Sequence, residues 1–252
     1  MERACVQELM SGVRRFFIDG INYPDVAEVV LEGEEFVHAK TVLRIAVGDE
    51  IVLLDNSGSE YPAIVTEVGK RSLSAHITGA NAGGREPHTP VYLLAGALKG
   101  DKTELVVQKA VELGVSKIGI FGSRYCSAYI NQNKLERLNR VSREAAKQCL
   151  RTVAPEVCYF ADLESALSSA AECKNRLFAC EFAASSDCRL ENLSGQTAVV
   201  IGSEGGFSEE EYAMAVEKYA FSTLSLGRRI LRAETAAIAA LSIVMYSLGE
   251  LK

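Results

Sequence analysis

No run of about 18 consecutive apolar residues occurs in the 252-residue sequence, so no segment reads as a membrane-spanning helix. The amino-terminal stretch MERACVQELMSG lacks a basic region and an apolar core, which argues against a secretory leader and leaves residues 1–12 as an expected loose extension. The seven cysteines (Cys5, Cys126, Cys149, Cys158, Cys173, Cys180 and Cys188) are odd in number, scattered, and form no C-x-x-C. That pattern indicates neither a zinc site nor a disulfide framework and fits a reducing cytoplasm. Only three histidines occur, His38, His76 and His88, too dispersed to suggest a metal site, and no bound metal is expected. The dinucleotide-binding pattern G-x-G-x-x-G is absent as well.

What is present is a chain that is 48% hydrophobic, enough to bury a sizeable core in one large or two modest domains. The net charge of −6 is unevenly spread. Residues 1–89 carry 8 Lys/Arg against 14 Asp/Glu, whereas residues 90–252 carry 19 against 19, so local patches rather than overall charge decide which partners are possible. From Arg14 the rhythm is short and strand-like: RRFFID, EEFVHAKTV, DEIVLLD, then YPAIVTEV and the strictly alternating SLSAHIT, with turns at Asn56–Ser59 and Gly69–Arg71. Such spacing predicts a small β-barrel over 13–84, although 37–47 is equally compatible with a helical turn leading to Gly48.

The glycine- and proline-rich segment ANAGGREPHTP (80–90) is the expected domain boundary. After it, strands alternate with helices over 90–252, which predicts an α/β domain with a mostly parallel sheet. Expected strands are Val91–Ala97, Lys117–Phe121, Val157–Phe160, Leu177–Glu181, Ala198–Ile201 and Ser222–Leu226. Expected helices are Thr103–Leu113, Lys134–Arg151, Leu163–Ala171, Glu209–Tyr219 and Glu234–Leu248. The last of these has almost no polar face, so it belongs in a core or against a second copy of the chain.

Four stretches could carry chemistry. The run AVVIGSEGGFSEEE (198–211) reads as a buried strand, a loop with Gly202, Gly205 and Gly206, and a helix opened by a Ser208/Glu211 capping box, the arrangement that holds ligands at strand ends. A second loop, LSLGRRILRAETA (224–236), repeats the plan around Gly227 with Arg228, Arg229 and Arg232. The stretch GALKGDKT (96–103) sits where a phosphate loop belongs, but its glycine spacing is one residue short and Asp101 would repel a phosphate; Lys99 and Lys102 stay available to RNA. Along the 134–151 helix Lys134, Arg137, Arg140, Arg143, Lys147 and Arg151 form a basic stripe, either a solvated face or a polyanion contact.

Together RRFF, HAKTVLRIAVGD, KGDKTELVVQKAVELGV, SREAAKQCLRTVAPEV, IGSEGGFSEEE and LGRRILRAETA resemble, in order and spacing, the bacterial small-subunit (16S) ribosomal RNA uracil-N3 methyltransferases of the knotted SPOUT superfamily. The resemblance implies a PUA-like RNA-binding barrel, an α/β methyltransferase domain with a deep trefoil knot, S-adenosylmethionine (SAM) as cofactor, and a cytoplasmic homodimer acting on 16S rRNA within the small ribosomal subunit. By position it implies cofactor contacts at Cys180, Glu181, Ile201, Gly202, Ser203, Glu204, Gly205, Gly206, Leu226, Gly227, Ile230, Leu231 and Arg232. The chain departs from the family's usual residues at Ser203 (commonly proline, a φ lock), Ala233 and Tyr125.

Uracil N3 must lose a proton before it attacks a methyl group, which calls for a base or for a cation that stabilises the anion. Arg232 and Arg124 are the expected cations. Glu204 is the nearest carboxylate, with a loop-orienting hydrogen bond as its other possible role. Expected RNA contacts are Arg14, Arg15, Lys99, Lys102, Arg124, Arg143 and Arg151. Two rivals stand beside this reading: a nucleoside-triphosphate enzyme using Gly96–Thr103, and a non-catalytic RNA-binding or ribosome-assembly protein.

Overall fold

The computed structural model describes residues 13–180, 190 and 193–251. They form two compact units, one made by the chain up to Glu86 together with Leu150–Val153, the other by Pro87–Cys149 and the chain from Ala154 onward. Among the described residues no helix is long and apolar enough to cross a membrane.

The first unit is built on β1 (Arg14–Phe17), β2 (Glu28–Leu31), β3 (Glu50–Leu54), β4 (Ser59–Val68), β5 (Leu73–Ile77) and β6 (Asn81–Ala82). The strand order is β1-β3-β4-β5-β2, with β6 on β4; β1 runs parallel to β3 and the other pairs are antiparallel. Period-two patterning explains the faces: Tyr61, Ala63 and Val65 of β4 and Leu73, Ala75 and Ile77 of β5 point into one core with Phe16, Ile51 and Leu53. The run EEFVHAKTV is not a strand. It forms α1 (Gly33–Val37), which continues as a wider π turn through His38–Val42. Phe36 and Ala39, three residues apart, are the buried pair, and that step puts both on one helical face but on opposite faces of a strand. Strands β2 and β6 had no clear sequence signal.

Leu150–Val153 joins this unit through one carboxylate. Glu86 accepts from Arg151 Nη2 at 2.7 Å and Nε at 3.0 Å, and from the N–H groups of Thr152 (2.8 Å) and Val153 (3.1 Å). Burial on its own would raise the Glu86 pKa, but the guanidinium and the two N–H groups outweigh it and hold the carboxyl below its ordinary 4.5. Stability from this cluster is therefore present above pH 4.5 and is lost as pH falls through the lowered folded value. Glu86→Gln is expected to lose about 1.5–3 kcal/mol at neutral pH and to flatten the acid limb of the stability curve, read by denaturant titration between neutral and acid pH. An unchanged acid limb would exclude the assignment.

The second unit alternates strands and helices, save that β11 is the next described element of this series after β10: β7 (Val91–Gly96), α2 (Lys102–Glu112), β8 (Lys117–Phe121), α3 (Gln132–Gln148), β9 (Val157–Phe160), α4 (Leu163–Ser169), β10 (Asn175–Ala179), β11 (Thr197–Ile201), α5 (Glu209–Ala213, continuing as a π turn through Met214–Lys218), β12 (Ser222–Leu224) and α6 (Ala233–Ser247). Its sheet is entirely parallel, in the order β12-β10-β11-β7-β8-β9. All five residues of β11 are buried because a central parallel strand is covered on both faces, which is why TAVVI carries no alternation. Helix α3 stops at Gln148 rather than Arg151; Leu150 turns the backbone to a φ of +63° and takes Arg151 out of the basic stripe. Helix α6 buries Ala237, Ala240, Leu241, Val244 and Met245 but leaves Ile243 and Tyr246 exposed, so within one chain its apolar surface is covered on one side only.

Candidate functional site

Because every strand of the second sheet runs the same way, the loops leaving β7, β11 and β12 start at the edge where β10 also ends, on neighbouring strands. The loop after β11 is shaped by three glycines for three reasons. A Cβ on Gly202 would lie 3.0 Å from the Phe207 ring. One on Gly205 would lie 2.6 Å from Tyr125 Cβ and 2.8 Å from the Tyr125 carbonyl oxygen. Only Gly206 has positive φ, +68°, where its N–H closes a turn on the Ser203 carbonyl at 3.0 Å. Two of the three glycines therefore serve close packing and not, as positive-φ reasoning suggests, backbone conformation. Ser203 keeps the turn without a proline: it pairs with Gly206 and packs under Gly96, and it is only 5% exposed.

Beneath the loop, Phe207 is wedged against Phe178 at a ring-centre distance of 4.2 Å and Phe121 at 6.4 Å. The capping box then opens α5: Ser208 Oγ accepts from Glu211 N at 3.2 Å, and Glu211 Oε2 accepts from Ser208 N at 2.9 Å. The other Glu211 oxygen accepts from Arg124 N at 2.9 Å, so the cap also fixes the loop after β8.

Glu204 points to the β7–α2 loop. Its Oε1 accepts from Lys99 N at 3.1 Å and from Lys102 Nζ at 3.3 Å, and Lys102 Nζ lies 4.0 Å from Glu234 Oε2 in the first turn of α6. Burial would raise the Glu204 pKa, but the Lys99 N–H, its own N–H and Lys102 overcome it and lower it. An ionised carboxylate held by two donors is a tether between loops and a weak proton acceptor. The Thr103 hydroxyl donates to Leu98 O at 3.1 Å and accepts from Leu98 N at 3.0 Å. The Leu98 and Lys99 N–H groups and the Thr103 hydroxyl are thus engaged within the protein and not free to cradle a phosphate, which weighs against the triphosphate alternative.

The loops enclose a cleft of about 390 Å³ lined by Ile201, Gly202, Ser203, Glu204, Leu231 and Arg232, among others. A second cavity of about 150 Å³, lined by Cys180, Leu226, Gly227 and Arg228, shares Ala179, Ile230, Leu231 and Ala236 with it. Together they fall in the range of cofactor clefts, about 300–1,000 Å³. Ser203 Oγ, in this lining, is buried without a hydrogen-bond partner among the described residues, the condition of a polar atom that awaits a ligand; Glu234 Oε2 faces the Lys102 ammonium at 4.0 Å instead. The expected cofactor residues Cys180, Ile201, Gly202, Ser203, Glu204, Gly206, Leu226, Gly227, Ile230, Leu231 and Arg232 are thus brought to one cleft. Gly205 sits behind the wall on Tyr125, and Glu181 lies outside the described residues.

The expected RNA contacts divide by burial. Lys99, Arg124 and Arg143 are exposed, and Arg14 is exposed beside Asp49 at 3.4 Å. Arg15 is 6% exposed and bonded to Glu60 at 2.7 Å; Arg151 is 4% exposed and bonded to Glu86 at 2.7 Å. Both are spent inside the first unit and do not present a charge to RNA. Lys102 belongs to the Glu204 tether. The α3 stripe is also neutralised in part, Arg137 by Glu104 at 2.8 Å and the buried Lys147 by Glu144 at 2.8 Å. Sequence reasoning missed Glu234 and Gly96, whose partners lie more than a hundred residues away or across the sheet.

Fold and site define a class: an α/β protein with a ligand-sized cleft between glycine loops at the carboxyl edge of a parallel sheet. Residues 85–245 match the model of the RNA methyltransferase domain, and residues 31–78 that of the RNA methyltransferase PUA domain. The chain belongs to this RNA methyltransferase family. It is 29% identical over 232 residues to ribosomal RNA small subunit methyltransferase E of Bacillus subtilis, covering 86% of this chain and 89% of that protein. It is similar to the ribosomal RNA small subunit methyltransferase E from Neisseria gonorrhoeae solved bound to S-adenosyl methionine, with TM-score 0.81, 27% identity, and 94% and 98% of the two chains covered. A Legionella pneumophila structure described as a methyltransferase with bound cofactor SAM has TM-score 0.84 and 29% identity over 93% of this chain and 98% of that one.

Proposed function

We propose that this protein transfers a methyl group from SAM to N3 of a specific uridine in small-subunit (16S) ribosomal RNA. The observation that carries the reading is the cleft at the ends of β10, β11 and β12, with its glycine wall and the buried Ser203 hydroxyl that lacks a hydrogen-bond partner among the described residues. When bound there, SAM supplies an electrophilic methyl group on a sulfonium. The chain's own work is positional. Backbone groups of Ile201–Gly206 and Leu226–Arg232 hold the cofactor, and the Lys99–Glu204–Lys102 tether keeps the first of these loops in place. Arg232 at the mouth of the cleft offers positive charge to a uracil that has lost its N3 proton; Arg124, beside Tyr125, is bonded to Glu210 at 3.0 Å and would have to exchange that partner to do the same. Glu204, already ionised and doubly bonded, is the tether in this reading and not the base.

The division of labour follows the resemblance: 13–84 as the PUA-like RNA-binding domain and 90–252 as the knotted methyltransferase domain. Of the expected RNA contacts, Lys99, Arg124, Arg143 and Arg14 are exposed enough to meet RNA. Exposed Ile243 and Tyr246 on α6 are the surface through which a cytoplasmic homodimer would form. The test uses SAM labelled in its methyl group with small ribosomal subunits from a strain lacking this protein. Label should enter 16S rRNA at one uridine, where N3 methylation blocks base pairing and stops reverse transcription. Tight SAM binding with no label in any RNA would favour the non-catalytic assembly role instead.

A further inference from the structure

A second, larger cleft of about 630 Å³ lies at the carboxyl ends of β8 and β9, apart from the one that holds the glycine loops. Its walls include Arg124, Tyr129, Tyr159, Asp162, Glu164 and Glu211. Tyr129 is 74% exposed, and its ring meets Tyr159 edge to face at 6.3 Å, so an aromatic surface is left open on the rim. Such exposure of a large ring has a cost in water and is frequent where a partner supplies the other face.

The charges in the cleft say what that partner is not. Asp162 is held ionised by the Ser165 N–H it caps, and Glu164 by its bond from Lys218; both pKa values are lowered. Glu211 uses both oxygens on backbone N–H groups, and the Arg124 guanidinium is engaged by Glu210 at 3.0 Å. With Arg124 bonded to Glu210, and with carboxylates outnumbering it on the walls, the cleft presents, among the described residues, no unpaired cation to a phosphodiester. It accepts an uncharged, flat, hydrogen-bonding group. Burial, as the main cause, raises the Tyr159 phenol above its ordinary value, so it stays protonated and able to donate.

Position adds the last link. The segment that lines this cleft, Gly122–Ala128, is the one whose Tyr125 packs against Gly205 of the cofactor loop. A strand of RNA lying over Arg124 and Tyr125 would meet the cofactor cleft on one side and the tyrosine cleft on the other. We infer that the tyrosine cleft takes an unstacked base from a nucleotide flanking the methylated one, with the Tyr129 ring as its stacking platform. Single-stranded RNA is commonly read in this way, by bases splayed onto aromatic side chains. The inference rests on the RNA methyltransferase reading and adds a second base site to it.

The experiment measures methyl transfer to a 16S rRNA fragment by the full-length protein and its Tyr129 variants. Tyr129→Ala should raise the KM for RNA about 5- to 100-fold, the range for one stacked base, with the SAM Kd and kcat unchanged. Tyr129→Phe and Tyr129→Trp, which keep a ring, should behave as wild type. An RNA with an abasic nucleotide at the flanking position should lose as much with wild type and nothing further with Tyr129→Ala. A Tyr129→Ala enzyme with wild-type KM would overturn the inference. So would a Tyr129→Phe enzyme as weak as the alanine variant, or abasic losses that multiply with the Tyr129→Ala loss at every position. Failure of the wild-type protein to bind SAM or to methylate RNA would instead remove the underlying reading, before any variant is made.

Discussion

Gly96→Ala is expected to strip the second unit of most of its cofactor affinity. The added Cβ would lie 2.5 Å from Ser203 N and 3.0 Å from Gly202 C. These are backbone atoms of the glycine loop proposed to hold the cofactor, not the yielding end of a side chain. Gly96 ends β7, which is locked in register between β11 and β8, so the strand cannot retreat and the loop must. Overpacking of this kind costs about 1–3 kcal/mol. Displacement of the Gly202–Ser203 wall falls directly on the ligand, and a loss of about 1.4 kcal/mol is already tenfold in Kd. We expect SAM binding, read by calorimetry, to weaken by about 10- to 100-fold. The control is Gly84→Ala, where an added Cβ meets nothing within 4 Å; it should bind as wild type. A Gly96→Ala protein with unaltered affinity would mean that the loop under β7 is not the cofactor wall.

Phe207→Ala should be the most destabilising change near the site. The ring is 3% exposed, stacks within 4.2 Å of Phe178, and lies directly beneath Gly202. Its removal forfeits the transfer energy of a phenyl group and opens a cavity between Phe178, Phe121 and the loop. Such truncations cost about 3–5 kcal/mol. Phe207→Leu keeps much of the volume and should cost about 1.5 kcal/mol or less. Denaturant titration gives both values. If Phe207→Ala lost under about 1 kcal/mol, the aromatic wedge would not be what supports the loop.

The two predictions separate binding from stability. The first leaves the core intact and moves the wall of the cleft, while the second hollows the support of that wall. Neither touches the first unit, whose stability should instead follow the Glu86 cluster and its acid limb.

Much of the second unit can be read without coordinates. Its strands and helices differ in period, and TAVVI followed by a glycine loop and a Ser208/Glu211 capping box is a local signal, since the cap closes over three residues. Periodicity also marks Leu73, Ala75 and Ile77 as one face of β5. Where two periods fit equally, as over 37–47, the sequence leaves strand and helix open. Contact of Phe36 and Ala39 with the core makes EEFVHAKTV a helix.

The fate of the charges is different. Arg15 and Arg151 look like neighbours of Arg14 and Arg143 along the chain, yet they are buried on Glu60 and Glu86, and Lys102 is drawn to Glu204 and Glu234. Lys102 and Glu204 are 102 positions apart, and nothing in either segment encodes the meeting. The same holds for Gly96 and Gly205, which are glycines because backbone from another segment occupies the space of a side chain. Local order alone settles where this chain has strands, helices, caps and turns, because those depend on neighbours within about four residues. Which residues must be small, which charges are spent and which face the cleft is decided only when distant segments pack, because exclusion of volume and pairing of charge act through space and not along the chain.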